Sequence, residues 1–230
     1  MKSAKHKTNF TLKSTDNESV NVLSVSSEGQ LLVGLWYDRQ LHVYSADCCH
    51  VTSIKLPYND KVWDAVWTRR GNIVYIDPFN GSVVTMSQSG DVIQQTNVSM
   101  PSYLSVSTDG IIYLISDKYT SVYQSTDDGL TWSRTFNVTD GWQCWQVIKV
   151  STDSNTDVLW TVVKSDEDRR LRVYTVDKRR VVGDNVSWRD VTLPSHVAGN
   201  FDFIRLAYDG HTSVFIIDRN LRAMRMLSVS

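Results

Sequence analysis

The sequence is poor in the residues that usually announce chemistry. It holds three cysteines, two of them adjacent (Cys48 and Cys49) and the third at Cys144, with no C-x-x-C pair. An odd count at these spacings argues against a disulfide framework and a cysteine zinc site. The expectation is three buried or half-buried thiols in a reducing compartment. Glutamate is scarce, at Glu18, Glu28 and Glu167. The histidines, His6, His42, His50, His196 and His211, are scattered, and neither H-x-x-x-H nor G-x-S-x-G occurs. No catalytic constellation, metal or cofactor is therefore expected. No run reaches the roughly 18 apolar residues of a membrane span. The N-terminal MKSAKHKTNF has basic residues but no apolar segment behind them, so a secretory signal is not expected and a cytoplasmic location is. N-x-S/T triplets such as those at Asn9, Asn17, Asn97, Asn137 and Asn185 are then read as chance matches. A net charge of -1 argues against a dedicated DNA or RNA binder.

What the sequence does have is a repeat. The chain is 230 residues long and 41% hydrophobic, enough for one domain with a sizeable core. Five stretches share one pattern of apolar strand, polar turn and second apolar strand: LSVSSEGQLLVGLW from Leu23, DAVWTRRGNIVYID from Asp64, LSVSTDGIIYLISD from Leu104, IKVSTDSNTDVLWTVV from Ile148 and LAYDGHTSVFIID from Leu206. Glycine marks the turn at Gly29, Gly71, Gly110 and Gly210, and Ser151-Thr152-Asp153 replaces it in the fourth copy. Each copy continues into a third, alternating strand (LHVYS, SVVTMS, TSVYQS, RLRVYTV, AMRMLSV), and four copies into a fourth (VTSIKLP, VIQQTNV, TWSRTFNV, SWRDVTLP). Period-two alternation marks half-buried strands. Apolar residues at helical spacing are nowhere sustained. Pro57 and Pro194 sit at strand ends, where a missing N–H costs little.

Four strands repeating at about 40 residues predict an all-β chain, a β-propeller of about five four-stranded blades, or a truncated six-bladed ring. Residues 14–230 form the propeller. The N-terminal segment 1–13 contains TNFTLK, which alternates and would supply the fourth strand that the last copy lacks. KSDEDRR (Lys164 to Arg170) and DKRRVVGDN (Asp177 to Asn185) read as insertions in the fourth copy.

The second, third and fifth copies resemble NHL-type blades, most closely in Tyr208-Asp209-Gly210 followed by Val214 to Asn220 and Met226 to Val229. Ser125-Thr-Asp127-Asp-Gly129-Leu-Thr131-Trp132 resembles the Asp-box of sialidase-like and sortilin-like propellers. In that hairpin Asp127 would accept turn N–H groups, Gly129 would supply a positive φ, and Trp132 would fill the gap between blades. The overall texture resembles the C-terminal propellers of invertebrate tripartite-motif proteins, although those usually have six blades. That resemblance implies a substrate-recognition module without ligase chemistry of its own.

Loops joining second to third strands, and one blade to the next, form the end where function is expected. The binding candidates are Tyr37, Arg39, Tyr58, Phe79, Tyr119, Trp142 and Arg219, because aromatic residues and arginine anchor interfaces. The bland alternative is that Asp77, Asp117 and Asp218 cap turns and Trp142 packs between blades. The leading expectation is a monomeric, non-catalytic module for a protein or peptide partner. RNA binding is the first alternative. The basic clusters Lys178-Arg179-Arg180 and Arg69-Arg70 fall at the opposite end, and Arg169, Arg170 and Arg172 follow three acids that would neutralise them. A sialidase-like glycan-binding or hydrolase propeller is the second alternative, and it lacks a glutamate on any inner strand.

Overall fold

The computed structural model describes residues 20–35, 38–57, 62–152, 155–165, 169–177, 186–191, 204–208, 213–218 and 223–228. TNFTLK and the ring closure expected of it lie outside these residues. So do Lys178, Arg179 and Arg180. The described residues contain no helix.

Nineteen strands make four four-stranded antiparallel sheets and one of three strands, each consecutive in sequence. The first sheet is β1 (Val20–Val25), β2 (Leu31–Leu35), β3 (Gln40–Tyr44) and β4 (His50–Lys55). The second is β5 (Ala65–Trp67), β6 (Ile73–Asp77), β7 (Ser82–Met86) and β8 (Val92–Asn97). The third is β9 (Tyr103–Val106), β10 (Ile112–Ser116), β11 (Ser121–Ser125) and β12 (Ser133–Asn137). The fourth is β13 (Gln143–Thr152), β14 (Thr156–Lys164), β15 (Arg169–Asp177) and β16 (Val186–Asp190), and the fifth is β17 (Ile204–Tyr208), β18 (Ser213–Asp218) and β19 (Ala223–Ser228). Every repeat read from the sequence is thus one sheet. The fourth differs in length, because its first three strands run nine or ten residues rather than three to six.

Burial follows position in the blade. Strands β6, β7 and β10 are buried at every residue because a neighbouring sheet covers both faces. Outer strands β4 and β8 are exposed at most positions. One cluster joins Val22, Leu32 and Leu41 of the first blade to Trp67, Ile73 and Tyr75 of the second. Another joins Val66, Val74 and Val83 to Leu104, Ile112 and Leu114, with Trp132 packed against it. Each fully buried aliphatic side chain contributes about 1.5–3 kcal/mol.

Polar side chains tie each inner strand to the next. Trp67 N donates to Ser24 Oγ at 3.1 Å, and Leu104 N donates to Asp64 Oδ2 at 2.8 Å. Ser105 Oγ donates to the Val147 carbonyl at 2.6 Å. Gln146 makes a pair of hydrogen bonds with Leu206, donating to its carbonyl at 2.9 Å and accepting its N–H at 2.7 Å. Strand edges on the axis have no backbone partner there, so these side chains satisfy groups that would otherwise be orphaned.

The hairpins share one five-residue turn. In Ser26–Gln30, Thr68–Asn72, Ser107–Ile111, Ser45–Cys49 and Ser87–Asp91, the first hydroxyl oxygen accepts the N–H of the fifth residue at 3.0–3.2 Å. The fourth residue is in the left-handed region, and it is glycine except in one turn, where Cys48 has φ 63. A side chain there costs about 1–2 kcal/mol, offset by glycine's greater unfolded-state entropy. Cys48→Gly is therefore expected to stabilise the protein by about 0.5–1 kcal/mol. Calorimetry should show Tm rising by about 1–4 °C.

The thiols depart from expectation in one respect. Cys144 is buried and Cys48 half-buried, but Cys49 is exposed. It ends a hairpin turn at the blade's outer edge, where no neighbouring sheet reaches. Burial pushes the Cys144 thiol up to about 12, so it is inert at neutral pH.

Candidate interaction face and axial cavity

The two ends of the structure are built differently. One collects the second-to-third strand loops and the blade-to-blade crossings. Of the seven binding candidates, Arg39, Phe79, Tyr119 and Trp142 stand at this end, and Tyr37, Tyr58 and Arg219 lie outside the described residues. Arg39 is exposed, and Phe79 is 68% exposed. Asp77 beside it is buried, and its Oδ1 accepts the N–H groups of Phe79 and Asn80 at 3.1 and 3.0 Å, which makes it a turn cap. Asp117 accepts the Tyr123 hydroxyl at 3.1 Å.

Tyr119 and Trp142 each belong to a stack that reaches beyond the candidates. Asp117, Lys118 and Tyr119 have φ 52, 58 and 71, three consecutive non-glycine residues in left-handed geometry. Such residues cost about 1–3 kcal/mol each and persist only where surroundings over-determine them. Two contacts to the fourth blade do so. The Tyr119 carbonyl accepts Cys144 N at 2.6 Å, and the Tyr119 ring lies on Trp145 with centroids 5.1 Å apart and planes 3° from parallel. Tyr103 leans against both rings, and Lys164 Nζ is 5.2 Å from the Trp145 centroid. Close by, Arg172 Cζ lies 3.7 Å from the Trp188 centroid and 5.1 Å from that of Trp142, with Arg170 4.9 Å from Trp142. Asp190 accepts Arg172 Nε at 2.7 Å and Arg170 at 2.9 Å. Asp190 on the paired strand β16 thus meets these arginines, and the acids that precede them in sequence, Asp166, Glu167 and Asp168, lie outside the described residues.

The Ser125–Trp132 hairpin lies at the other end. Thr131 N and Oγ1 donate to the Asp127 carboxylate at 2.9 and 2.6 Å, and Gly129 N donates to Ser125 Oγ at 2.8 Å. Burial would raise the Asp127 carboxyl, but these bonds from Thr131 and Ser125 hold it below the usual range. Gly129 has φ 84 and packs on the second blade, where its carbonyl accepts Thr85 Oγ1 at 3.1 Å.

At this same end a cavity of about 580 Å³ opens on the axis, lined by all five inner strands and by three first-to-second strand turns. Sequence reasoning placed nothing here. Its walls include Leu23, Val25 and Val106, which are 68%, 60% and 38% exposed. Lys149 on the wall is buried, and its Nζ meets Asp109 at 2.6 Å and Asp157 at 2.9 Å. Arg69 and Arg70 belong to a turn at the rim, and Arg70 pairs with Asp128 at 3.3 Å.

One further cluster brings together nucleophile-bearing side chains. His42 lies 2.8 Å from Asp38 and 2.9 Å from Ser53 Oγ, which His50 also meets at 3.0 Å. Ser53 is exposed on outer strand β4, away from the axial cavity. Among the described residues no group of three His, Cys, Asp or Glu is placed to hold a metal ion.

No protein-family model matches the chain, and no curated protein does. Solved structures do. A virginiamycin B lyase from Staphylococcus aureus, solved with quinupristin, matches with a TM-score of 0.62 at 11% identity, over 97% of this chain and 74% of that one. The Cps50 (Swd1) β-propeller domain from Myceliophteria thermophila matches at 0.57 and 9% identity, over 92% and 84%. YCF48 bound to a D1 peptide matches at 0.58 and 14% identity, over 92% and 64%. Four four-stranded sheets and a three-stranded one around an axis, with these likenesses, make the chain a β-propeller. Identities of 9–14% carry the fold and nothing further.

Proposed function

We propose that this propeller is a non-catalytic interaction module that takes a segment of a protein partner on the end bearing Tyr119 and Trp142. The observation that carries this is the Tyr119–Trp145–Lys164 stack beside a strained left-handed loop. Tyrosine and tryptophan held half-buried on a rigid scaffold are among the side chains that dominate protein interfaces. YCF48, of the same fold, is described with a bound peptide. In its narrower form, the reading makes the chain the substrate-recognition part of a tripartite-motif-like ubiquitin ligase, supported by the resemblance of its blades. RNA binding has less support, since a phosphate track needs free cations and Arg170 and Arg172 at this end share Asp190. The sialidase-like reading needs glutamate at the axis, and none lines the cavity among the described residues.

The test is selection of a random displayed-peptide library on the intact chain. Enriched peptides are expected to lose about thirtyfold or more in affinity to Tyr119→Ala and Lys164→Ala, the effect of removing a hot-spot side chain, with melting curves showing both variants folded. Peptides that bind both variants as tightly as the wild type would overturn this site.

A further inference from the structure

The outer edge of the first blade carries a cluster that the proposed peptide face does not use. We infer that His42 and His50 bind a divalent transition-metal ion of the zinc class there, with Asp38 orienting His42 as a ligand.

The cluster is built by a one-residue irregularity in the sheet. On β3, Leu41 and Val43 turn into the core between the first two blades, so His42 between them takes the other face. Ser53 on β4 stands directly opposite His42. Regular alternation from Ser53 would put His50, three residues away, on the core face. The register shifts between Val43 and Tyr44, with Val51 as the extra residue, and His50 comes to lie opposite Tyr44. A bulge re-aims a side chain in this way. His50 thus shares a face with His42, Tyr44 and Ser53, and its ring meets that of Tyr44 edge-on with centroids 5.4 Å apart.

Three observations give the cluster its chemistry. First, two imidazoles converge on one point. His42 Nδ1 and His50 Nε2 lie 2.9 and 3.0 Å from the same Ser53 Oγ. Second, the spacing fits a shared ion. At Zn–N distances of about 2.0–2.1 Å an ion lies about 3.2 Å from each ring centre, so two ligand rings have centres within about 6.4 Å. Those of His42 and His50 are 6.0 Å apart. Each nitrogen has about 1 Å to travel as the Ser53 hydroxyl turns aside. Third, His42 is prepared as a ligand. Its Nε2 donates to Asp38 Oδ2 at 2.8 Å, which leaves the lone pair of Nδ1 for the point beside Ser53. A carboxylate behind a ligating imidazole fixes its tautomer and raises its basicity. Asp38 therefore stands behind a ligand rather than beside the ion, and the two histidines leave the remaining positions to water. Among the described residues the side chains of Asp38, His42, His50 and Ser53 hydrogen-bond only one another. Imidazole suits zinc, copper and nickel, whereas magnesium and calcium prefer oxygen.

The experiment is titration of the intact chain with Zn²⁺, followed by nuclear magnetic resonance of its five histidine rings. Zn²⁺ is expected to shift the rings of His42 and His50 together and to saturate at one ion for the pair. Mg²⁺ is expected to leave both unmoved. His50→Ala and His42→Gln are each expected to abolish saturation at this site, with melting curves showing both variants folded. Asp38→Asn is expected to weaken binding about tenfold or more. Cys49→Ser is expected to bind like the wild type, which sets the exposed thiol outside the ligand set. His42 and His50 rings that stay unmoved at saturating Zn²⁺ would overturn the inference. So would full affinity in His50→Ala or Asp38→Asn, or an equal response to Mg²⁺.

Discussion

Gly129→Ala is expected to destabilise the protein by about 2–5 kcal/mol, with the denaturant midpoint falling and the slope of the transition unchanged. Two costs combine. At φ 84 any side chain adopts the left-handed region, which is worth about 1–2 kcal/mol. The new methyl would also lie 2.6 Å from Val74 Cγ2 and 2.8 Å from Thr85 Oγ1. Val74 is fully buried in the cluster that joins the second and third blades, so it has nowhere to move. Overpacking of this kind costs about 1–3 kcal/mol. Gly141→Ala separates the two contributions. Its φ is 77 and nothing lies within 4 Å of the added carbon, so it should cost the strain less the unfolded-state entropy that the methyl removes, about 0.5–1 kcal/mol. Equal losses in the two variants would mean that the hairpin does not press on the second blade.

Lys149→Met is expected to cost about 3–5 kcal/mol at neutral pH, because removing one partner leaves buried charge uncompensated. Its ammonium is 4% exposed and lies between two carboxylates, with Asp157 at 9%. The pH dependence distinguishes this from a simple packing loss. Burial would raise the Asp109 carboxyl, but hydrogen bonds from Lys149 and Ser107 outweigh it and hold the group below its usual range. A depressed carboxyl stabilises above its unfolded pKa and loses that contribution as pH falls through the folded value. The deficit of Lys149→Met should therefore be full at pH 6–8 and shrink as pH drops below about 4. On the alkaline side the sign reverses. Burial would lower the Lys149 ammonium, but its bonds to Asp109 and Asp157 outweigh that and raise it. Its contribution is present below the unfolded value of about 10.4 and is lost as pH rises through the folded one. Adding Asp109→Asn and Asp157→Asn to Lys149→Met should recover much of the loss. A deficit that stays constant from pH 3 to 8 would show that the lysine acts through packing.

The blade was legible because its determinants are local. Alternation in LHVYS, SVVTMS and TSVYQS located β3, β7 and β11 to within a residue, since period two decides which face of a strand is covered. The turn glycines Gly29, Gly71 and Gly110 marked the hairpins, because their left-handed φ excludes most other residues. What joins blades was not legible. Tyr119 meets Trp145 from another sheet, Gln146 bonds Leu206 sixty positions on, and no periodicity links such partners. Arg172 read as a cation offset by the acids that precede it in sequence, and it is buried, because two tryptophans and Asp190 converge on it from β16 and the preceding crossing. The axial cavity was invisible for the opposite reason. Leu23 and Val25 have the composition of core residues, and they are open because no sheet among the described residues covers the face of β1 turned away from the second blade.

The side chains that tie inner strands together have a mechanical implication. Ser24, Asp64, Ser105 and Gln146 each reach the adjacent blade, and consecutive blades are consecutive in sequence. Load applied to the chain therefore passes through the sheets in series, as in other repeat proteins whose units contact nearest neighbours. Under tension the blades would peel off one after another, and the strength of each step would be set by its own link to the next.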